Sequence, residues 1–243
     1  MMTRLLVLLI SLAIASPSWA AVAFDAASEC TTEGATSLTC THVSAGSDRA
    51  GYCAVTHENG YTGVDSVTAT WNGVSMDVVF TDITTHANKR TRLFRLVNQA
   101  TGSQSVVFDW GGLNRAFSAV CGSFTGVDQT DPDDAQVVVT NDLSGGTTDS
   151  VSSAVGDMAL DILVTASTLN SAVDGAQGNT LINALFDGQT ANGLGMSYEA
   201  GAASVAMGWT WTGLANFVHW QMNINASSGS TPATNFFRLR VNP

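Results

Sequence analysis

Apolar residues in this chain recur at every second position or in short unbroken runs, and the three-and-four spacing of a helix is nearly absent. In Val205–Trp211 the residues Val205, Met207, Trp209 and Trp211 alternate with Ala206, Gly208 and Thr210. In Phe217–Asn225 the residues Val218, Trp220, Met222 and Ile224 stand opposite Phe217, His219, Gln221 and Asn223. Successive side chains of a strand point to opposite faces, so each run turns one face toward a core, and Trp209, Trp211 and Trp220 are assigned to it.

Glycine, Asn, Asp, Ser and Thr separate these runs. Strands are expected at Ser37–Val43, Arg49–His57, Val64–Trp71, Val74–Phe80, Arg90–Asn98, Ser103–Trp110, Ala135–Leu143, Asp157–Ala166, Thr180–Phe186 and Asn235–Val241. Asn72-Gly73 lies between two of them, and Asn-Gly suits the positive φ of both central residues of a type I′ turn, so a tight hairpin is expected there. A second hairpin is expected between Arg90–Asn98 and Ser103–Trp110. The apolar run Arg115–Val127 reads as a strand buried on both faces. About a dozen short strands in one chain imply two packed antiparallel sheets: an all-β sandwich of jelly-roll or immunoglobulin-like type.

The first 20 residues stand apart. Arg4 precedes the apolar run Leu5–Ile14, and Ser18-Trp19-Ala20 forms a small-x-small site. That is a secretory signal peptide, 1–20, with cleavage after Ala20 and a single domain over 21–243. The apolar run is too short to cross a bilayer of roughly 30 Å, so no membrane span is expected. Export suits the four cysteines Cys30, Cys40, Cys53 and Cys121: an even count in an oxidising compartment reads as two disulfides. Three pairings are open, Cys30 with Cys40 and Cys53 with Cys121 being one of them. The spacing contains no CxxC and speaks against zinc. The whole chain carries 9 basic and 20 acidic residues. Such a surface repels phosphate backbones, which excludes nucleic acid as a partner.

Five segments, VDSVTATWNGVSMDVV from Val64, LFRLVNQATGSQSVV from Leu93, AFSAVCGSFTGVDQTDP from Ala116, GDMALDILV from Gly156 and GAASVAMGWTW from Gly201, together resemble a widespread group of exported bacterial β-sandwich domains. A GVDQ corner and a later "GdlvvdvvA" strand recur there in this order. The resemblance implies the fold and carries no catalytic residues. This chain departs from the pattern in Asp131 and in its cysteines, so the disulfides are not implied by the resemblance.

Motifs for chemistry are sparse. There is no G-x-S-x-G elbow; Gly122-Ser123-Phe124-Thr125-Gly126 has the wrong spacing and lies in a core strand. His42, His57, His86 and His219 form no metal-binding pair and read as satisfied strand residues. Asp109, Asp161, Asp187 and Glu199 are acids near apolar strands, the raw material of a glycosidase pair. Asp128, Asp131, Asp133 and Asp134 crowd one loop and are candidate calcium ligands; the competing reading is an Asx turn stiffened by Pro132. No other cofactor is expected. Trp110, flanked by Asp109 and Asn114 at a Gly-rich tip, is the candidate platform for stacking a sugar, with Tyr61 a second loop aromatic. The competing reading has Trp110 folded inward. Lys89, Arg90, Arg92 and Arg95, with Arg238 and Arg240, are candidates for a basic strip that grips acidic glycan or another copy, or that protects a sheet edge.

Three functional readings are therefore carried forward. The first is a secreted non-catalytic binding or adhesion module with glycan as the candidate ligand. The second is a self-assembling extracellular structural protein, and the third is a glycoside hydrolase.

Overall fold

The structure, a computed structural model, describes residues 21–58, 67–80, 89–112, 115–165, 174–175, 180–185 and 193–228. The leader, Tyr61, Asn114, Asp187 and the expected strand Asn235–Val241 lie outside these residues. Fifteen strands are present: β1 (Ala23–Ala35), β2 (Ser37–Ser44), β3 (Ala50–Glu58), β4 (Thr68–Trp71), β5 (Val74–Ser75), β6 (Asp77–Phe80), β7 (Lys89–Val97), β8 (Gly102–Asp109), β9 (Arg115–Thr125), β10 (Asp133–Val151), β11 (Met158–Thr165), β12 (Asp174–Gly175), β13 (Thr180–Leu185), β14 (Gly193–Ala200) and β15 (Val205–Ile224). No helix occurs among the described residues.

These strands form three open antiparallel sheets where two were expected, in the orders β1-β9-β3-β7-β6, β2-β8-β4-β5 and β10-β15-β11-β14-β13, with β12 paired to β15. The five-stranded sheet lies in the middle, and strand alternation divides its side chains between two cores. On one face Ala50, Tyr52, Ala54, Leu93, Val120 and Phe124 meet Leu160, Ile162, Met196, Trp220 and Met222 of the six-stranded sheet. On the other, Cys53, Val55, Phe94, Phe117, Ala119 and Cys121 meet Leu38, Cys40, Trp71, Val106, Phe108 and Trp110 of the four-stranded sheet. This is why Arg115–Val127 reads as apolar at consecutive positions: both faces of β9 are covered. The middle sheet and its four-stranded neighbour approach closely at Gly51, where a Cβ would run into the Trp71 ring.

Asn72 and Gly73 have φ of 49° and 78°, the left-handed pair that the β4–β5 turn requires. The second expected hairpin is corrected. β7 and β8 belong to different sheets, so the Gln99–Gly102 segment is a crossing between layers, and Phe94 packs on Phe108 across the gap. β1 was missed because its alternation involves small and polar residues in place of large apolar ones.

The two alternating segments at the C-terminal end are one strand, β15, paired along its length with β10 in a long ribbon. Gln221 reaches the backbone of Met207, fourteen residues away on the same strand. An extended strand of that length would span roughly 45 Å, so the ribbon doubles back. Its distal arm lies over the outer face of β11. Val205 and Met207 pack on Ala159, and Trp209 and Trp211 pack on Leu163, so every residue of β11 is buried. Two disulfides complete the frame: Cys30–Cys40 joins β1 to β2, and Cys53–Cys121 joins β3 to β9.

Candidate functional site

The Gly-rich tip is built differently from the stacking platform the sequence suggests. Trp110 is only 2% exposed and packs on Phe117 within the core between the middle and four-stranded sheets. A ring sealed there offers no face to a sugar, so the assignment of Trp110 as a binding platform is withdrawn; the residue plugs the end of the stack. Asp109 accepts a hydrogen bond from the Gly111 N–H at 2.8 Å and so ties down its own turn.

The four carboxylates of the acidic corner point to different places. Asp128 Oδ1 accepts from the Thr130 N–H at 2.8 Å, the Thr130 hydroxyl at 2.7 Å and the Asp131 N–H at 3.1 Å, forming an Asx turn. The Thr130 hydroxyl, then the backbone donors, hold Asp128 below the usual carboxylate range. Asp131 is exposed. Asp133 and Asp134 begin β10, so their side chains leave on opposite faces. Asp133 Oδ2 accepts from Arg95 at 2.7 Å and from the Tyr52 hydroxyl at 3.0 Å. Burial, and next the Asp133 charge, push the Tyr52 hydroxyl well above its ordinary range. Asp134 turns the other way and accepts from Asn223 at 3.0 Å. Among the described residues no three His, Cys, Asp or Glu side chains are grouped to hold a metal ion. Two arginines of the expected basic strip are likewise engaged internally: Arg95 with Asp133 and Asp77, and Arg92 with the Val67 carbonyl.

Asp134 opens instead into a surface hollow of about 210 Å³, which Asp157, Asn223, Asn225 and Ser153 also line. The ends of β10 and β15 meet there with the turn that precedes β11. Asn223 lies in the floor, 3% exposed. Its amide donates to Asp134 at 3.0 Å, Asp157 at 3.1 Å and Asn225 Oδ1 at 2.7 Å, while its oxygen accepts from Ser153 at 2.6 Å. Two carboxylates and two carboxamides thus converge on one open hollow. Asp157 and Asn223 were not among the sequence candidates. Asn223 carried a signal, being a polar residue on an alternating strand, but the meeting of three chain segments is set by register.

Two histidines are sealed inside. His42, on the inner face of β2, accepts from the Ser28 hydroxyl at Nδ1 (2.8 Å) and donates from Nε2 to Ser123 Oγ (3.0 Å), whose own proton goes to Asp25 (2.9 Å). The Ser123-to-Asp25 bond puts a proton on Nε2, and burial favours the neutral ring, whose Nδ1 then accepts from Ser28. Burial lowers the His42 pKa to about 4, against a smaller opposing pull from Asp25. His219 Nε2 lies 2.9 Å from Asp161 Oδ2, and Asp161 also accepts from the Trp209 indole at 2.8 Å and from the Ser197 hydroxyl. Asp161 and His219 are both fully buried under the folded-back arm. Asp161 is visible in sequence as the one break in an apolar run, and His219 as a polar member of an alternating strand. What joins them is the β11–β15 register, in which Asp161 stands across from Gln221 and Leu163 across from His219.

No family model, curated protein or solved structure matches the chain.

Proposed function

We propose that the protein is a secreted, non-catalytic binding or adhesion module and that its ligand, a hydroxyl-rich glycan, is held at the hollow formed by Asp134, Asp157, Asn223, Asn225 and Ser153. The observation that carries this reading is the convergence of carboxylate and carboxamide groups on that one open hollow. Carboxylate and carboxamide oxygens and N–H groups are the partners that sugar hydroxyls need. The same oxygens suit calcium, which takes six to eight such ligands, so calcium is a co-ligand in this reading. Asp134 and Asp157 bond one amide nitrogen at 3.0 and 3.1 Å, which brings two carboxylates to the same hollow. Both oxygens are engaged as acceptors from Asn223, which favours holding a ligand over donating a proton to one. The buried disulfide and the stack of sheets, a sandwich elaborated by a third layer, suit service outside the cell.

Self-assembly is the second reading. β10 is nineteen residues long and forms one edge of the six-stranded sheet, with Val138 exposed on it. Long edges invite pairing with another chain.

One experiment separates these readings: a glycan array on the mature protein, with calcium and with chelator, beside Asp157→Ala, and with the eluted glycans and particle sizes measured. Binding that Asp157→Ala lowers at least tenfold, with glycans returned intact, is expected. Cleaved glycans would make it an enzyme. Filaments without glycan retention would give the edge-strand reading.

A further inference from the structure

The middle and six-stranded sheets do not end together. β13 lies against β1 and β9, and β14 against β9 and β3, so the sheets are matched along one side of the stack. On the other side the Trp220 ring of β15 stacks on Phe80 of β6 at 4.8 Å, and β6 is the last strand of the middle sheet. β10, the next strand beyond β15, therefore overhangs that edge. Val138 stands directly across from Trp220 and shares its inward face, yet Val138 is 43% exposed while Trp220 is fully buried. The outward neighbours Val137 and Val139 are half-buried under the folded-back arm. β10 is thus more open on its inward face than on its outward one, the reverse of a strand in a closed sandwich.

β6 has the matching gap. Among the described residues it pairs only with β7, so one side of its backbone has no strand partner, and its Val78 is 46% exposed. An apolar overhang above an unpaired edge is the space of one strand.

The chain carries a segment that fits this space. Residues 235–241 alternate, with Phe237, Leu239 and Val241 on one face and Phe236, Arg238 and Arg240 on the other. The described chain ends close by. The Asn225 N–H donates to the Pro132 carbonyl at 2.9 Å and the Ser227 N–H to the Gly126 carbonyl at 2.7 Å, which holds the exit at the corner leading into β10. From that corner Asp133 reaches Arg95, and Arg95 reaches Asp77, the first residue of β6. Residues 229–234 extend to about 20 Å, long enough to follow this path. Charge agrees. Residues 229–243 contain Arg238 and Arg240 and no acid, against a chain with 20 acidic and 9 basic residues, and the Asp77 side chain at the head of β6 is 73% exposed.

We propose that residues 235–241 of this same chain dock beside β6 as a sixth strand of the middle sheet. β15 delivers the chain to the head of β6, so the added strand runs from Asp77 toward Phe80, parallel to β6. Phe237, Leu239 and Val241 lie under the β10 overhang, with Arg238 and Arg240 on the opposite face. Docking satisfies the open backbone groups of β6, covers Val138 and removes an edge that another copy would otherwise pair with. This inference does not rest on the glycan reading.

The test uses the full mature chain with a benzophenone side chain in place of the exposed Val138. Illumination is expected to join position 138 to a peptide within 235–241 of the same molecule. Hydrogen exchange on the wild type is expected to show slowed amides in that segment. Leu239→Asp should abolish the crosslink and speed exchange of the β6 amides not bonded to β7 by about tenfold or more. A crosslink between two chains would give the space to a second copy and overturn the proposal. So would a crosslink to any other peptide, or wild-type amides of 237–241 that exchange at the unfolded rate, a result that needs no variant to fold.

Discussion

Acid should unfold this protein partly through His42, and the amount can be worked from its surroundings. The ring is fully buried, and both its nitrogens are satisfied in the neutral state by Ser28 and Ser123. Protonation would turn Nδ1 into a donor and force the Ser28 hydroxyl to reverse. Burial lowers the pKa from 6.5 to about 4, with Asp25 opposing. As pH falls, the unfolded chain therefore binds the proton first. The stability owed to the neutral ring is complete above the unfolded value of 6.5 and is lost by the time pH reaches about 4. At about 1.4 kcal/mol per pH unit, the loss across that window is about 3 kcal/mol. Urea unfolding near pH 7 and near pH 4, on wild type and on His42→Gln, isolates the contribution from that of the many carboxylates. Wild type should lose about 3 kcal/mol more than the variant over the interval. Parallel pH profiles would refute the buried neutral relay.

Two further substitutions probe the cores. Trp110→Ala should destabilise by about 3–5 kcal/mol in urea unfolding, since it empties a large buried site; an unchanged midpoint would return the ring to the surface. Removing Cys53–Cys121, which closes a separation of 68 residues, should cost about 4 kcal/mol, against about 3 kcal/mol for Cys30–Cys40 with its separation of 10. Double Cys→Ala variants, compared by chemical denaturation, check the order, and a larger loss from the Cys30–Cys40 pair would contradict the loop-closure account.

Local chemistry was readable and layer assignment was not. The Asn72-Gly73 turn, the doubly buried β9 and the core tryptophans follow from propensity and period, which act within a few residues. The third sheet does not, because nothing in Arg90–Trp110 distinguishes a turn within a sheet from a crossing between sheets. The ambiguity at Trp110 had the same origin: a tryptophan beside Gly-Gly fits a loop platform or an end plug equally, until the neighbouring sheet supplies Phe117. For the site, Asp134 was visible as one of four crowded acids, but only strand alternation at Asp133 and Asp134 separates the one that enters the hollow from the one that pairs with Arg95. Asp157, Asn223 and the Asp161–His219 pair depend on how β10, β11 and β15 align, a long-range register that no local pattern encodes.

The Cys53–Cys121 bridge sits on directly paired strands of the middle sheet, with both cysteines fully shielded from solvent. That placement dictates a sequence of events during maturation. Thiol oxidation has to precede the docking of at least one flanking layer, since afterwards no oxidase can enter. Once the outer layers have closed, the same shielding keeps environmental reductants out, so the crosslink should persist until the whole molecule unravels.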